Sequence, residues 1–132
     1  MKKERFLLYD SGKEKVSIEV FFKDENIWLT QKLMAELFGV DRSVITKHLR
    51  NIFEDQELNE SSVCANFAHT AKDKKIYTTK YYNLDAIISV GYRVNSQKAT
   101  KFRIWATKKL KEYILKGFVL NDERLKNSII IL

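Results

Sequence analysis

The stretch Thr30–Phe53, TQKLMAELFGVDRSVITKHLRNIF, decides the fold. It reads as two helices joined by a three-residue turn. Thr30 caps the first helix, because its hydroxyl can accept from an amide two or three residues on. Leu33, Met34, Leu37 and Phe38 then recur at helical spacing and give one apolar face. Ala35 is small where a second helix must come close. Gly39 falls where the first helix ends, a position at which glycine takes the left-handed conformation without steric cost. Val40 re-enters the core, Asp41 caps the next helix, and Ile45, Leu49 and Ile52 line its inner face. This order is the helix-turn-helix pattern. The outward face of the second helix, about residues 42–53, carries Arg42, Ser43, Thr46, Lys47 and Arg50. All five can donate to phosphates or base edges, and no carboxylate stands among them.

Upstream, Arg5 to Tyr9 is a short apolar run that predicts a strand, and Asp10-Ser11-Gly12-Lys13 is a turn signal. Val16 to Phe22 alternates, with Val16, Ile18 and Val20 on one face and Ser17 and Glu19 on the other, the pattern of a half-buried strand. Lys23 to Asn26 makes a polar four-residue connection to a partner strand, Ile27-Trp28-Leu29. A small hairpin thus leads into the helix-turn-helix, with Trp28 as its core anchor.

Downstream, Glu54 to Ser62 is acidic and reads as a solvated loop that faces away from any polyanion. Val63 to Ala71 and Ile76 to Tyr82 predict a second hairpin with Lys72, Asp73, Lys74 and Lys75 at its tip. A hairpin in this place is a wing, whose Lys72, Lys74 and Lys75 can sit on a phosphate backbone. Asn83 caps a helix with Leu84, Ile87 and Ile88 on its core face, and Gly91 marks close packing or the helix end. Ser96 caps a last long helix. Its Phe102, Trp105, Ala106, Leu110 and Tyr113 are expected to pack on the sheet, and Gly117 to end it. Lys98, Lys101, Arg103, Lys108 and Lys111 occupy its other faces. The expected fold is therefore α+β, a winged helix-turn-helix-like single domain over residues 1–127. It is built from an N-terminal β-hairpin, the helix-turn-helix, a second β-hairpin and two C-terminal helices. An apolar tail, residues 128–132, follows.

Composition narrows the function. The chain has 132 residues, 45% of them hydrophobic, enough for one domain with a core. No apolar run approaches the roughly 20 residues of a membrane span, and Leu7 and Leu8 do not extend into a signal-peptide core. The net charge of +7 favours a polyanionic partner. The single cysteine, Cys64, excludes an internal disulfide and fits a reducing cytoplasm.

Enzyme chemistry finds little to work with. His48, Cys64 and His69 share no metal-ligand spacing, and there is no glycine-rich phosphate loop or nucleophile elbow. Glu54, Asp55, Glu57 and Glu60 read as an exposed acidic loop. We expect no catalysis, no metal and no cofactor.

The stretches IWLTQKLMAELFGVDRSVITKHLRNIF, ELNESSVCANFAHTA, KYYNLDAIISVGYRVNS and FRIWATKKLKEYILKGFVLNDERL resemble the virulence RhuM family, from about Val16 to about Asn127. They also show a distant similarity to the phage Bro-N and KilA-N antirepressor domains. The first resemblance implies a bacterial, virulence-associated DNA-binding protein acting in transcription regulation. Typical members continue beyond NDERLKN, so the sequence is either a short form or lacks a second half. Double-stranded DNA is the expected partner, its major groove read by the helix at about 42–53 of a cytoplasmic homodimer whose copies associate through the C-terminal helix and tail. The alternative is an antirepressor-like module that recognises a regulatory protein, for which the apolar tail Ile129 to Leu132 speaks.

Overall fold

A computed structural model describes residues 2–10 and 15–120. The turn signal around Gly12 and the tail 128–132 lie outside the described residues. The elements run β1 (Lys2–Asp10), β2 (Lys15–Lys23), β3 (Asn26–Leu29), α1 (Gln31–Phe38) and α2 (Arg42–Glu54). After them come α3 (Glu60–Val63), β4 (Cys64–Thr70), β5 (Ile76–Asn83), α4 (Leu84–Arg93) and α5 (Gln97–Leu120). The class is mixed α+β.

The strands pair antiparallel in the order β1-β2-β3-β5-β4. The short β3 joins what the sequence presents as two hairpins. Phe21 pairs with Trp28 on one side, while Trp28 and Leu29 pair with Asn83 and Tyr82 on the other. The connection before β3 is tighter than four residues. Lys23 pairs with Asn26, and Asp24 and Glu25 alone make the turn, both with positive φ (54° and 56°). Two left-handed residues give the twist that a two-residue hairpin loop needs.

Period-2 alternation gives the sheet two different faces. Ile18, Val20, Leu29 and Tyr82 point into the core. The other face carries an aromatic cluster in edge-to-face contact: Tyr81 against Phe21 (5.0 Å) and Phe67 (5.3 Å), and Phe67 against Trp28 (5.6 Å). Trp28, expected as a core anchor, instead anchors the outer face, held also by Nε1 donating to the Lys23 carbonyl at 3.0 Å. Far from β3, the β4–β5 hairpin continues alone to its tip, from the Asn66–Lys80 pair to the Thr70–Ile76 pair.

The core side is closed by helices with side-chain caps. Thr30 Oγ1 accepts from the Leu33 amide (3.1 Å), Asp41 from Ser43 (3.0 Å) and Asn83 from Ala86 (3.3 Å). Gly39 ends α1 with φ 65°. That left-handed conformation is what favours glycine there; a Cβ would meet only the flexible Lys98 side chain, at 2.9 Å from Cδ. Ser96 joins two helices: its Oγ accepts from the Ala99 amide at the start of α5 and donates to the Phe38 carbonyl at the end of α1. Phe38 and Phe102, both buried, meet edge-to-face at 5.2 Å. Gly91 lets α4 approach them, since a Cβ would lie 2.6 Å from the Phe102 ring and 3.0 Å from Phe38.

Several expectations are corrected. On α4 the buried residues are Ala86, Ile87, Val90 and Gly91, while Leu84 and Ile88 are exposed. The buried stripe is centred between Ile87 and Val90, and Leu84 and Ile88 fall on the flank beyond Gly91. The long helix α5 packs on α1 and α4, more than on the sheet, through Ala99, Phe102, Trp105 and Ala106. Leu110 (56% exposed) and Tyr113 (79%) lie beyond the body it packs on. Gly117 does not end this helix, which runs on to Leu120. The acidic loop contains the one-turn α3, capped by Asn59, so β4 starts at Cys64.

Candidate nucleic-acid interface

The turn between α1 and α2 comprises Gly39, Val40 and Asp41, as read from the sequence. It fixes the N-terminus of α2 at the surface. Ile45, Leu49 and Ile52 anchor the inner face of α2, and Arg42, Ser43, Lys47 and Arg50 stand exposed on the outer one. Asp41, the carboxylate nearest this face, is used as the cap: the Ser43 hydroxyl (2.6 Å) and amide both donate to it, which holds its carboxyl below the usual range. The next carboxylate along the helix is Glu54, at its far end.

Thr46 is placed differently from the other four. It is half-buried, and its hydroxyl donates to Gln31 Oε1 at 2.5 Å. Gln31 Nε2 in turn donates to the Tyr82 hydroxyl at 2.9 Å. This relay ties α2 to the first residue of α1 and to β5. Nothing in the periodicity of the sequence marks it, because its three members lie on three elements.

The predicted tip lysines are exposed, and the turn beneath them is well held. Asp73 accepts from the Tyr77 hydroxyl (2.6 Å) and the Lys75 amide (3.0 Å), which lowers its pKa. Lys74 takes the left-handed conformation, φ 65°. The cations that meet the N-terminus of α2 are others. A concave groove is lined by Arg42 together with Thr30, Gln31 and Lys32 from the start of α1, and Thr79, Lys80 and Tyr82 from β5. The Lys80 ammonium pairs with Glu60 and lies 5.7 Å over the Tyr82 ring; the pairing raises its pKa. Sequence reading overlooked Lys32 and Lys80, since each sits alone on its own element.

His48 lies half-buried on α2, away from the exposed donors. Burial, then the charges of Lys47 and Arg93, push its pKa below the ordinary value. Arg93 closes α4 by pairing with Asp55 and Glu57 at 3.1 Å each, so part of the acidic loop is an ion-pair partner rather than free solvent-facing charge. Arg103 is likewise occupied, donating to the Gly91 (2.9 Å) and Val94 (2.8 Å) carbonyls at the end of α4.

Burial pushes the Cys64 thiol up to about 11, so it is protonated near neutral pH, unlike an activated nucleophile. Among the described residues no three His, Cys, Asp or Glu side chains gather as a metal site. No described helix is long and apolar enough to cross a membrane.

No curated protein and no solved structure matches the chain. Residues 62–131 match the Virulence protein RhuM family, a segment that opens in α3 and takes in β4, β5, α4 and α5. The α1–turn–α2 unit precedes the matched segment. Over more than half its length, then, the sequence carries the family's pattern, and the chain belongs to the virulence protein RhuM family.

Proposed function

We propose that this chain is a DNA-binding protein of winged helix-turn-helix type, with α2 entering the major groove and the β4–β5 hairpin serving as the wing. The observation that carries the reading is the exposed face of α2, where Arg42, Ser43, Lys47 and Arg50 stand without an opposing carboxylate. A net charge of +7 adds long-range attraction to the duplex. The hairpin tip, with Lys72, Lys74 and Lys75 exposed, suits backbone contact. The role is transcriptional regulation in the cytoplasm, without catalysis or cofactor. Two copies read paired half-sites, associating through the exposed apolar residues of α5.

Substitution tests the assignment. Lys47→Ala or Arg50→Ala shifts base preference, each base contact being worth about 1–3 kcal/mol. Lys72→Gln with Lys75→Gln weakens every duplex alike and flattens the salt dependence. Equal weakening on all sequences by the α2 variants would remove base reading from that helix.

One observation favours a second reading, a protein-recognition module. Leu110, Tyr113, Ile114, Leu115, Phe118, Val119 and Leu120 of α5 are all at least half exposed, more apolar surface than a solvated helix carries. That reading predicts no preference among duplexes and a protein partner retained after the basic face of α2 is removed.

A further inference from the structure

We propose that the groove between the N-termini of α1 and α2 and strand β5 holds a single backbone phosphate of the bound duplex, gripped by Lys32 and Arg42. The inference rests on the DNA-binding reading and divides the donors of α2: Arg42 holds the backbone, and Lys47 and Arg50 face the bases.

Three observations lead there. Arg42 is the first residue of α2 and lines the groove, whereas Lys47 and Arg50 do not line it. The lining brings three cations, Lys32, Arg42 and Lys80, from three elements into one concavity and includes no carboxylate. Lys80 is already matched by Glu60, while neither Lys32 nor Arg42 has an ion-pair partner among the described residues. Two unmatched cations held in one cleft repel each other, and an anion between them removes that cost.

The Thr46–Gln31–Tyr82 relay ties α2, α1 and β5 together beside the groove, so the backbone positions that carry Lys32 and Arg42 are held relative to one another. Within the lining the Tyr82 hydroxyl accepts from Gln31 and keeps its own proton to donate, and a guanidinium can offer two parallel N–H groups to one phosphate. A tetrahedral, singly charged phosphodiester beside the major groove is the anion that a duplex presents at the mouth of a helix lying in that groove.

The test uses the full chain and a duplex selected from a random pool. Single phosphates of that duplex are replaced, one at a time, by uncharged methylphosphonates. One position is expected to weaken the wild type about ten-fold while leaving Lys32→Gln and Arg42→Gln almost unaffected, as for a lost hydrogen bond to a charged group. Both variants should weaken all duplexes equally and lower the slope of log K against log salt by about one phosphate's worth. Duplex binding that is intact but indifferent to Lys32→Gln at every salt overturns the inference alone. A change of base preference in Arg42→Gln also overturns it. Wild type that binds no duplex removes the DNA reading and this inference together. Competition by polyglutamate as effective as by duplex of equal charge would reassign the groove to an acidic protein.

Discussion

Asp24 and Glu25 show how much a single residue can conceal. Both adopt positive φ in a two-residue turn, which costs non-glycine residues roughly 1–2 kcal/mol each, less for Asp. Asp24→Asn with Glu25→Gly is expected to stabilise the fold by about 1 kcal/mol in urea melts. No change would mean the turn is relaxed by other contacts. Gly91 is the converse case. A Cβ would sit 2.6 Å from Phe102, a ring already packed against Phe38. Gly91→Ala should therefore destabilise by about 1–3 kcal/mol, the range for overpacked cores. His48 brings a pH dependence. Its folded-state pKa is depressed, chiefly by burial, so the unfolded chain binds the proton more readily. The stability it contributes is present above the ordinary histidine pKa and lost as pH falls below it. Melting temperature should drop between neutral pH and pH 5, and less so in His48→Gln; an identical drop in both would place the titrating group elsewhere.

The elements divide by what the sequence could reveal about them. The caps Thr30, Asp41, Asn83 and Ser96 and the turn glycine Gly39 were legible, because each acts within a few residues of its own position. So was the inner face of α2, whose period is undisturbed. Contacts between elements were not legible. The sequence showed two hairpins and gave no sign that β3 would pair on both sides. It placed Thr46 among the outward donors, whereas the hydroxyl is spent on Gln31. It placed Leu110 and Tyr113 in the core because helical spacing continues there, although the body that α5 packs on ends near Thr107, which meets the Tyr92 hydroxyl at 3.1 Å. A period says which residues share a face and not how far the neighbouring element extends. The relay offers a test at this scale. Gln31→Ala should leave the melt nearly unchanged, since the side chain is part-exposed, but loosen α2 against β5 and blunt base discrimination more than affinity. A uniform loss on all duplexes would deny Gln31 a positioning role.

At the scale of the molecule, one antiparallel sheet carries helices on its Ile18–Val20–Leu29 face and an aromatic cluster on the other. The basic groove opens where α1, α2 and β5 meet, so the candidate site is a property of the assembled fold. Beyond the body, α5 continues for about 20 Å with exposed apolar residues among its lysines. If two copies join there, Leu110→Glu with Ile114→Glu should turn a dimeric mass in solution into a monomeric one; a wild type that stays monomeric at high concentration removes the proposed homodimer. Whether α2 reads a duplex is decided by selection from a randomised DNA pool at low and at moderate salt. One enriched motif is expected, persisting at moderate salt and altered by Lys47→Ala. Sequence-blind binding that vanishes at moderate salt would contradict that expectation, leaving only the attraction of a +7 chain for any polyanion.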